Sequence, residues 1–316
     1  MTRPTRIAVV SVLVASIVTG CVAQEPVHAT PPSTSAPSGS SERNCVPMLG
    51  GDTELSWSAD GSSIAVLMDF SSATGAYSYV DVVSWPSLTV RQQYRPAYEL
   101  GPVVPSFDGS SLYWLGKHDG MNGFWSLSAS GDSTLIGTAP DEVLNMAVAT
   151  PDGIVWSSFT DFQTLTLTVR KMDWTSHTET IVPARPPVLQ TWIDGQGQWI
   201  VLSSKTASGG QQFQVLHGGE VTTVTSPTTA RLVGMSPDRA DVIYRPESNL
   251  SDYGTSIELH LLALAGGADD VVSVPIPSGL GASPLALSST GVLAYGDQGG
   301  FANHVCFSAP ALVQGK

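Results

Sequence analysis

The chain has 316 residues, with 14 Lys and Arg against 27 Asp and Glu and a formal charge of −13. That balance argues against a binder of nucleic-acid backbone, which needs clustered cations to displace counterions. Charged residues are 13% and apolar residues 42%, so the chain can bury a core and is not disordered throughout. Gly (31) and Pro (22) are abundant, which suits many short strands joined by turns.

Arg3 and Arg6 precede an apolar run over Ile7–Val18, and no acidic residue interrupts them. The run is shorter than the roughly 20 residues a helix needs to cross a hydrocarbon core. A basic start, a short apolar stretch and small residues after it read as an export signal over 1–20. The junction Val18-Thr19-Gly20-Cys21 resembles the bacterial lipobox. That resemblance implies a diacylglycerol thioether on Cys21, palmitate-type acylation and a new N-terminus there. The bland alternative is an ordinary signal peptide with an incidental Cys. Two or three acyl chains hold a protein stably on a bilayer, whereas one chain holds it only marginally.

Residues 21–44 are rich in Pro, Ser, Thr and Ala and lack apolar periodicity, so they read as a disordered tether; His28 within it reads as solvated. Loss of the leader removes Arg3 and Arg6, leaving 12 cations against 27 anions, or −15. An acidic body of that kind stands off an anionic membrane surface. The expected location is the extracytoplasmic face of the cell membrane, with contact to the bilayer through the N-terminal lipid.

From residue 45 onward one pattern recurs about six times. Leu55-Ser-Trp-Ser-Ala-Asp-Gly61 leads into Ile64–Leu67, Val104-Pro-Ser-Phe-Asp-Gly109 into Leu112–Leu115, and Ala147-Val-Ala-Thr-Pro-Asp-Gly153 into Val155–Trp156. Weaker copies centre on Asp194-Gly195, Asp238-Arg239 and Thr290-Gly291, with separations of 48, 44, 42, 44 and 52 residues. Asp-Gly between two β-prone runs signals a tight turn, because Gly reaches positive φ without a Cβ clash. The apolar run after each turn reads as a strand buried on both faces. A third run follows in every unit (Tyr79–Val83 and Phe124–Leu127, for example), and a shorter fourth in the first five (Thr89–Arg91, Thr134–Ile136). Four strands per period of about 40–45 residues is the arithmetic of a β-propeller blade. The expected fold is all-β: a six-bladed propeller over 45–310, followed by a short tail over 311–316.

The Ser-Pro-Asp-Gly style of turn, clearest at Ser58–Gly61, Pro151–Gly153 and Ser236–Asp238, resembles the repeat of TolB-like propellers, here as a bacterial lipoprotein. A sialidase Asp box would place one residue between Asp and Gly, and here the two are adjacent. The sixth unit lacks a fourth strand, and Asn44–Met48 can supply it, closing the ring and removing exposed edges. Cys45 and Cys306 lie at this closure, and in an oxidising compartment they read as a disulfide.

Signatures of chemistry are sparse. No Gly-x-Ser-x-Gly elbow occurs, and the histidines lack metal-ligand spacing, so no catalytic residue, metal or cofactor is assigned. Trp57, Trp114, Trp156 and Trp199 read as blade packing. Propeller geometry puts the loops after the second and fourth strands on one face. There Tyr94, Arg95, Tyr98, Lys117, His118, Asp161, Arg245, Glu247 and Tyr253 are candidate rim residues for binding. The resemblance implies a non-catalytic protein-binding or envelope-scaffold module, a monomer with an envelope protein partner and no nucleic acid. The alternatives are a hydrolase or lyase using His118, Asp119 and Asp161, and a small-ligand sensor using the central channel.

Overall fold

Among the described residues twenty-four strands are laid out in six sheets of four. The innermost strand is the first in sequence in five of them, and in the sixth it is β22 (Ala282–Leu287), with β1 (Cys45–Pro47) on the outer edge. The computed structural model describes residues 44–48, 52–72, 75–139, 143–185, 187–247, 254–266, 269–280, 282–297 and 304–308. Blade 1 comprises β2 (Asp52–Trp57), β3 (Ser63–Ser72), β4 (Gly75–Ser84) and β5 (Thr89–Tyr94). Blade 2 comprises β6 (Val103–Pro105), β7 (Leu112–His118), β8 (Met121–Leu127) and β9 (Ser133–Thr138). Blade 3 comprises β10 (Val143–Thr150), β11 (Gly153–Asp161), β12 (Thr166–Asp173) and β13 (Thr178–Arg185). Blade 4 comprises β14 (Gln190–Ile193), β15 (Trp199–Lys205), β16 (Gln211–His217) and β17 (Glu220–Ser226). Blade 5 comprises β18 (Ala230–Met235), β19 (Asp241–Pro246), β20 (Gly254–Ala263) and β21 (Asp269–Leu280). Blade 6 takes β22 (Ala282–Leu287), β23 (Leu293–Asp297) and β24 (His304–Ser308), and its outer strand is β1 (Cys45–Pro47).

All pairings are antiparallel, and the inner strands contact one another in the cyclic order β2, β6, β10, β14, β18, β22 and back to β2. The molecule is therefore a six-bladed β-propeller. The expected borrowing of an N-terminal strand is present: Cys45 lies opposite Cys306 in register and is bonded to it, S–S 2.06 Å, across 261 residues of chain. Chain-entropy reasoning gives such a long closure roughly 5 kcal/mol, reduced by whatever strain the native state carries.

The core lies between blades rather than in one central mass. Phe124 of blade 2 meets Trp156 of blade 3 edge to face at 5.1 Å, and both are fully buried. Second strands are buried along much of their length, as the apolar runs require: seven successive residues of β11, Gly153–Phe159, and all of Asp241–Pro246 in β19 are buried. Large flat rings suit this space because neighbouring twisted sheets diverge as wedges.

The turns between first and second strands follow one local rule. A Ser, Thr or Asp precedes the turn residue by three places, and in five blades its side chain accepts a bond from an N–H entering the next strand. Ser63 N to Ser58 Oγ is 3.0 Å, Ser111 N to Ser106 Oγ 2.9 Å, Asp241 N to Ser236 Oγ 2.9 Å and Val292 N to Ser288 Oγ 2.9 Å. In blade 4 Asp194 does the same for Gln198 N at 2.7 Å. This corrects the sequence reading of that blade. The turn glycine is Gly197, at φ +68° with its N–H bonded to Asp194 O, and not Gly195. Arg239 occupies the equivalent place in blade 5 at φ +62°.

Candidate functional site

The inner strands surround a well of about 450 Å³ on the propeller axis. First strands run from one face to the other, so their turns lie together at one end. That end is closed. Ser289 Oγ of blade 6 donates to Ala59 O of blade 1 at 2.8 Å, and Asp60 N donates to Phe107 O of blade 2 at 3.1 Å. From the opposite side Gly195 presses on the same carbonyl; a Cβ there would stand 2.2 Å from Ala59 O. Arg239 Nη2 lies 3.7 Å from Asp194 Oδ2, with its guanidinium 5.3 Å from the centre of the Trp192 ring, tying blade 5 to blade 4.

Toward the other end the walls carry the polar groups that differ between blades. Glu54 of β2 is exposed there, and it is the only ionisable residue among the described residues lining the well. Enclosure by the walls, with a further push from the Asp69 charge, raises its carboxyl above the usual range. Asn145 of β10 joins two blades: its Oδ1 accepts from Thr191 N at 2.8 Å and from Thr191 Oγ1 at 2.6 Å. Thr191 Oγ1 is also hydrogen-bonded to Ser157 Oγ. One blade further on, Gln190 Oε1 accepts from Leu232 N at 2.8 Å. Trp57 Nε1 donates to Ala286 O at 3.2 Å, joining blade 1 to blade 6. Side chains thus fasten inner strands that have no ladder between them, and the bonds to Thr191 N, Leu232 N and Ala286 O each give a backbone group a partner.

The candidate rim residues occupy other positions. Tyr94 is buried at the end of β5 and donates to Gln92 Oε1 at 3.0 Å; burial raises its phenol although Arg91 opposes this. Arg95 is held by Asp81 Oδ1 at 2.6 Å and by the carbonyls of Val80 and Tyr94, over the ring of Tyr79. Tyr98 donates to Gly131 O at 3.0 Å, and its ring stacks on His118 at 4.8 Å. His118 in turn meets Trp114 and Trp125, with Asp119 Oδ2 3.8 Å from its Nε2. The structure therefore brings Tyr98 and His118 together in the packing of blades 1 and 2. Lys117 is exposed on β7 opposite Asn122. Asp161 is exposed and caps its own turn, accepting from Thr164 Oγ1 at 2.6 Å and Gln163 N at 2.9 Å, bonds that lower its carboxyl pKa. Arg245 is buried opposite Arg231, and Glu247 is exposed with its N–H bonded to Thr229 O. Tyr253 and Cys21 lie outside the described residues. None of these eight described rim candidates lines the well.

A polar network that spacing did not suggest joins blades 4 and 5. Ser226 Oγ donates to Tyr244 Oη at 3.1 Å, and Tyr244 donates to Asp269 Oδ2 at 2.7 Å. His260 lies between Asp269 and Glu258, at 3.0 and 3.1 Å from their oxygens. Burial pushes the Tyr244 phenol up to about 12, opposed by the bond from Ser226 and aided by the bond to Asp269 and its charge.

No protein-family profile matches the sequence, and no curated protein sequence matches it. Solved structures share the architecture. The chain is similar to TolB from Acinetobacter baumannii, at 13% identity and a TM-score of 0.44, covering 85% of this chain and 55% of that one. It is similar to the β-propeller domain of the Trilobed protease from Pyrococcus furiosus, at 10% identity and a TM-score of 0.48, covering 77% and 76%. The Pyrococcus horikoshii acylaminoacyl peptidase gives 9% identity and a TM-score of 0.48, covering 78% and 42%. The chain spans about half the length of the TolB structure, and its assignment as a six-bladed propeller rests on its own strand order.

Proposed function

We propose that this is a lipid-anchored protein of the extracytoplasmic membrane face whose propeller is a non-catalytic protein-binding module of the cell envelope. The observation that carries the reading is where the chain enters the wheel. Cys45 pairs in the C-terminal half of β24, toward the end that lies opposite Leu293 and beside the β22–β23 turn, with Asn44 O accepting from Phe307 N at 2.7 Å. The N-terminal end of β1 therefore lies at the closed face, and the open end of the well is on the far side. The chain thus enters the wheel at the closed face, and we place the partner-binding surface on the opposite, free face.

That free face carries apolar hairpin tips on adjacent blades, Met121 at 45% and Phe162 at 64% exposure, beside the charged Lys117, Asp119 and Asp161. Apolar tips beside charged groups suit a protein partner. Two measurements test the reading. Metabolic labelling with an alkynyl palmitate should mark the full chain and lose the mark in Cys21→Ser. Photo-crosslinking residues placed at Phe162 and Lys117 in intact cells should give a discrete adduct, and the same probes at Asp152 and Ser130 on the closed face should not. Labelling that survives Cys21→Ser, or adducts confined to the closed face, would contradict it.

A further inference from the structure

We propose that the axial well is a binding site for an ammonium group carried on a compact apolar body, with the cation at Glu54 and the body on the walls below. Its volume of about 450 Å³ falls within the roughly 300–1,000 Å³ typical of ligand sites. Each blade contributes an apolar residue to the lining: Trp57, Val103, Met146, Ile193, Leu232 and Leu285. The closed end makes the well blind, so a ligand enters and leaves past Glu54. That carboxylate is the one charge among the described lining residues, and Asp69 adds a second negative field behind it.

A chain of net charge −13 raises the local concentration of cations near its surface, and low-dielectric walls focus that field. An ammonium relieves the repulsion between Glu54 and Asp69, which an anion or a neutral ligand cannot do. Asn145 supplies the second point of recognition. Both contacts to its Oδ1 come from Thr191, and its Nδ2 has no partner among the described residues. A ligand with a hydrogen-bond acceptor near the ammonium satisfies that donor. The well would therefore select charge at its mouth, shape along its walls and one acceptor between them. This inference is independent of anchoring at Cys21.

The ammonium could belong to a free amine or to a peptide's N-terminus, and both share this chemistry. Calorimetric titration of the full chain with phenethylammonium and the isosteric 2-phenylethanol tests the charge requirement. We expect the amine to bind at least about tenfold more tightly, the equivalent of about 1.4 kcal/mol. Glu54→Gln should remove that advantage while leaving the alcohol's affinity unchanged. Glu54→Asp, which keeps the charge but withdraws it, should give an intermediate value. Phe-Gly-Gly and its N-acetyl form assign the source: binding of the free peptide alone points to a peptide terminus. Binding of the amine without the peptide points to a free amine, and either supports the site. Equal affinity for amine and alcohol, no binding of either, or an amine affinity unchanged in Glu54→Gln would overturn it. Palmitate labelling is read separately, so failure here and failure of the anchoring proposal are distinguishable.

Discussion

The two ends of the axial well are built on different principles. At the closed end every blade places a short polar side chain three positions before a positive-φ residue, and in five of them that side chain caps the strand that follows. These turns also meet one another, through Ser289 with Ala59 and Gly195 against the same carbonyl. At the open end the corresponding wall residues differ from blade to blade, with Glu54, Pro102, Asn145 and Leu232 among them. A repeated position serves the ring, which needs the same turn six times. A position that differs in each copy is free to serve a ligand. The end that holds the wheel together and the end that recognises something are thus separated along one axis.

Mutations should divide along the same line. The largest effect is expected at the latch, where Cys45→Ser with Cys306→Ser should cost about 3–5 kcal/mol, read as a lowered denaturant midpoint. Next is the plug. Gly195→Ala forces a Cβ onto Ala59 O and should cost about 1–3 kcal/mol, whereas Gly219→Ala, which meets nothing within 4 Å, should cost about 1 kcal/mol from its positive φ alone. Equal losses at the two glycines would break the claim that the turns seal the well.

Removing a cap by Ser236→Ala should cost about 1 kcal/mol and leave ligand affinity alone. Asn145→Ala should cost a similar amount through the orphaned Thr191 N–H and also weaken phenethylammonium binding. The smallest effects are ionic and of opposite sign at the two ends. Asp108, at the closed end, is lowered to about 2 by its bonds to Ser110 and Ser106. It contributes stability above its ordinary range, and this is lost as pH falls toward about 2. Asp108→Asn should flatten that acid limb of the midpoint curve. Glu54 is raised, so its charged form opposes folding, and Glu54→Gln should leave stability at pH 7 equal or slightly raised.

Much of the wheel was legible because its instructions are local. Asp-Gly turns, apolar second strands and two cysteines at the chain's extremities are readable without knowing any neighbour. Blade 4 shows where local reading slips. Asp194-Gly195 imitates the Asp-Gly of other blades, yet Asp194 takes the capping role of Ser and Gly197 takes the positive φ. Gly195 is glycine for another reason, the close approach of Ala59, which only the closed ring reveals. Arg239 replaces a glycine outright, and its contacts with Ser236 O, Asp194 and Trp192 accompany that backbone.

The candidate site was less legible. Tyr94, Arg95 and Tyr98 look like rim residues in sequence, but Tyr94 and Arg95 are bonded within blade 1, to Gln92 and Asp81, and Tyr98 packs against blade 2. Glu54 and Asn145 lie in the first strands of their blades but just before the runs that the repeat picks out, which begin at Leu55 and Ala147, and a polar residue there reads as the solvent face. In an innermost strand that face is the well. A polar residue just before the first run of a repeat was the available signal, and it gains meaning only once the ring is closed.

The account depends most on a ring joined by its own two ends, and peptide mapping of the oxidised full chain addresses this directly. The account predicts one linked pair, a peptide containing Cys45 joined to one containing Cys306, that separates only on reduction. Recovery of both cysteines as free thiols, or of either one joined to Cys21, would contradict it.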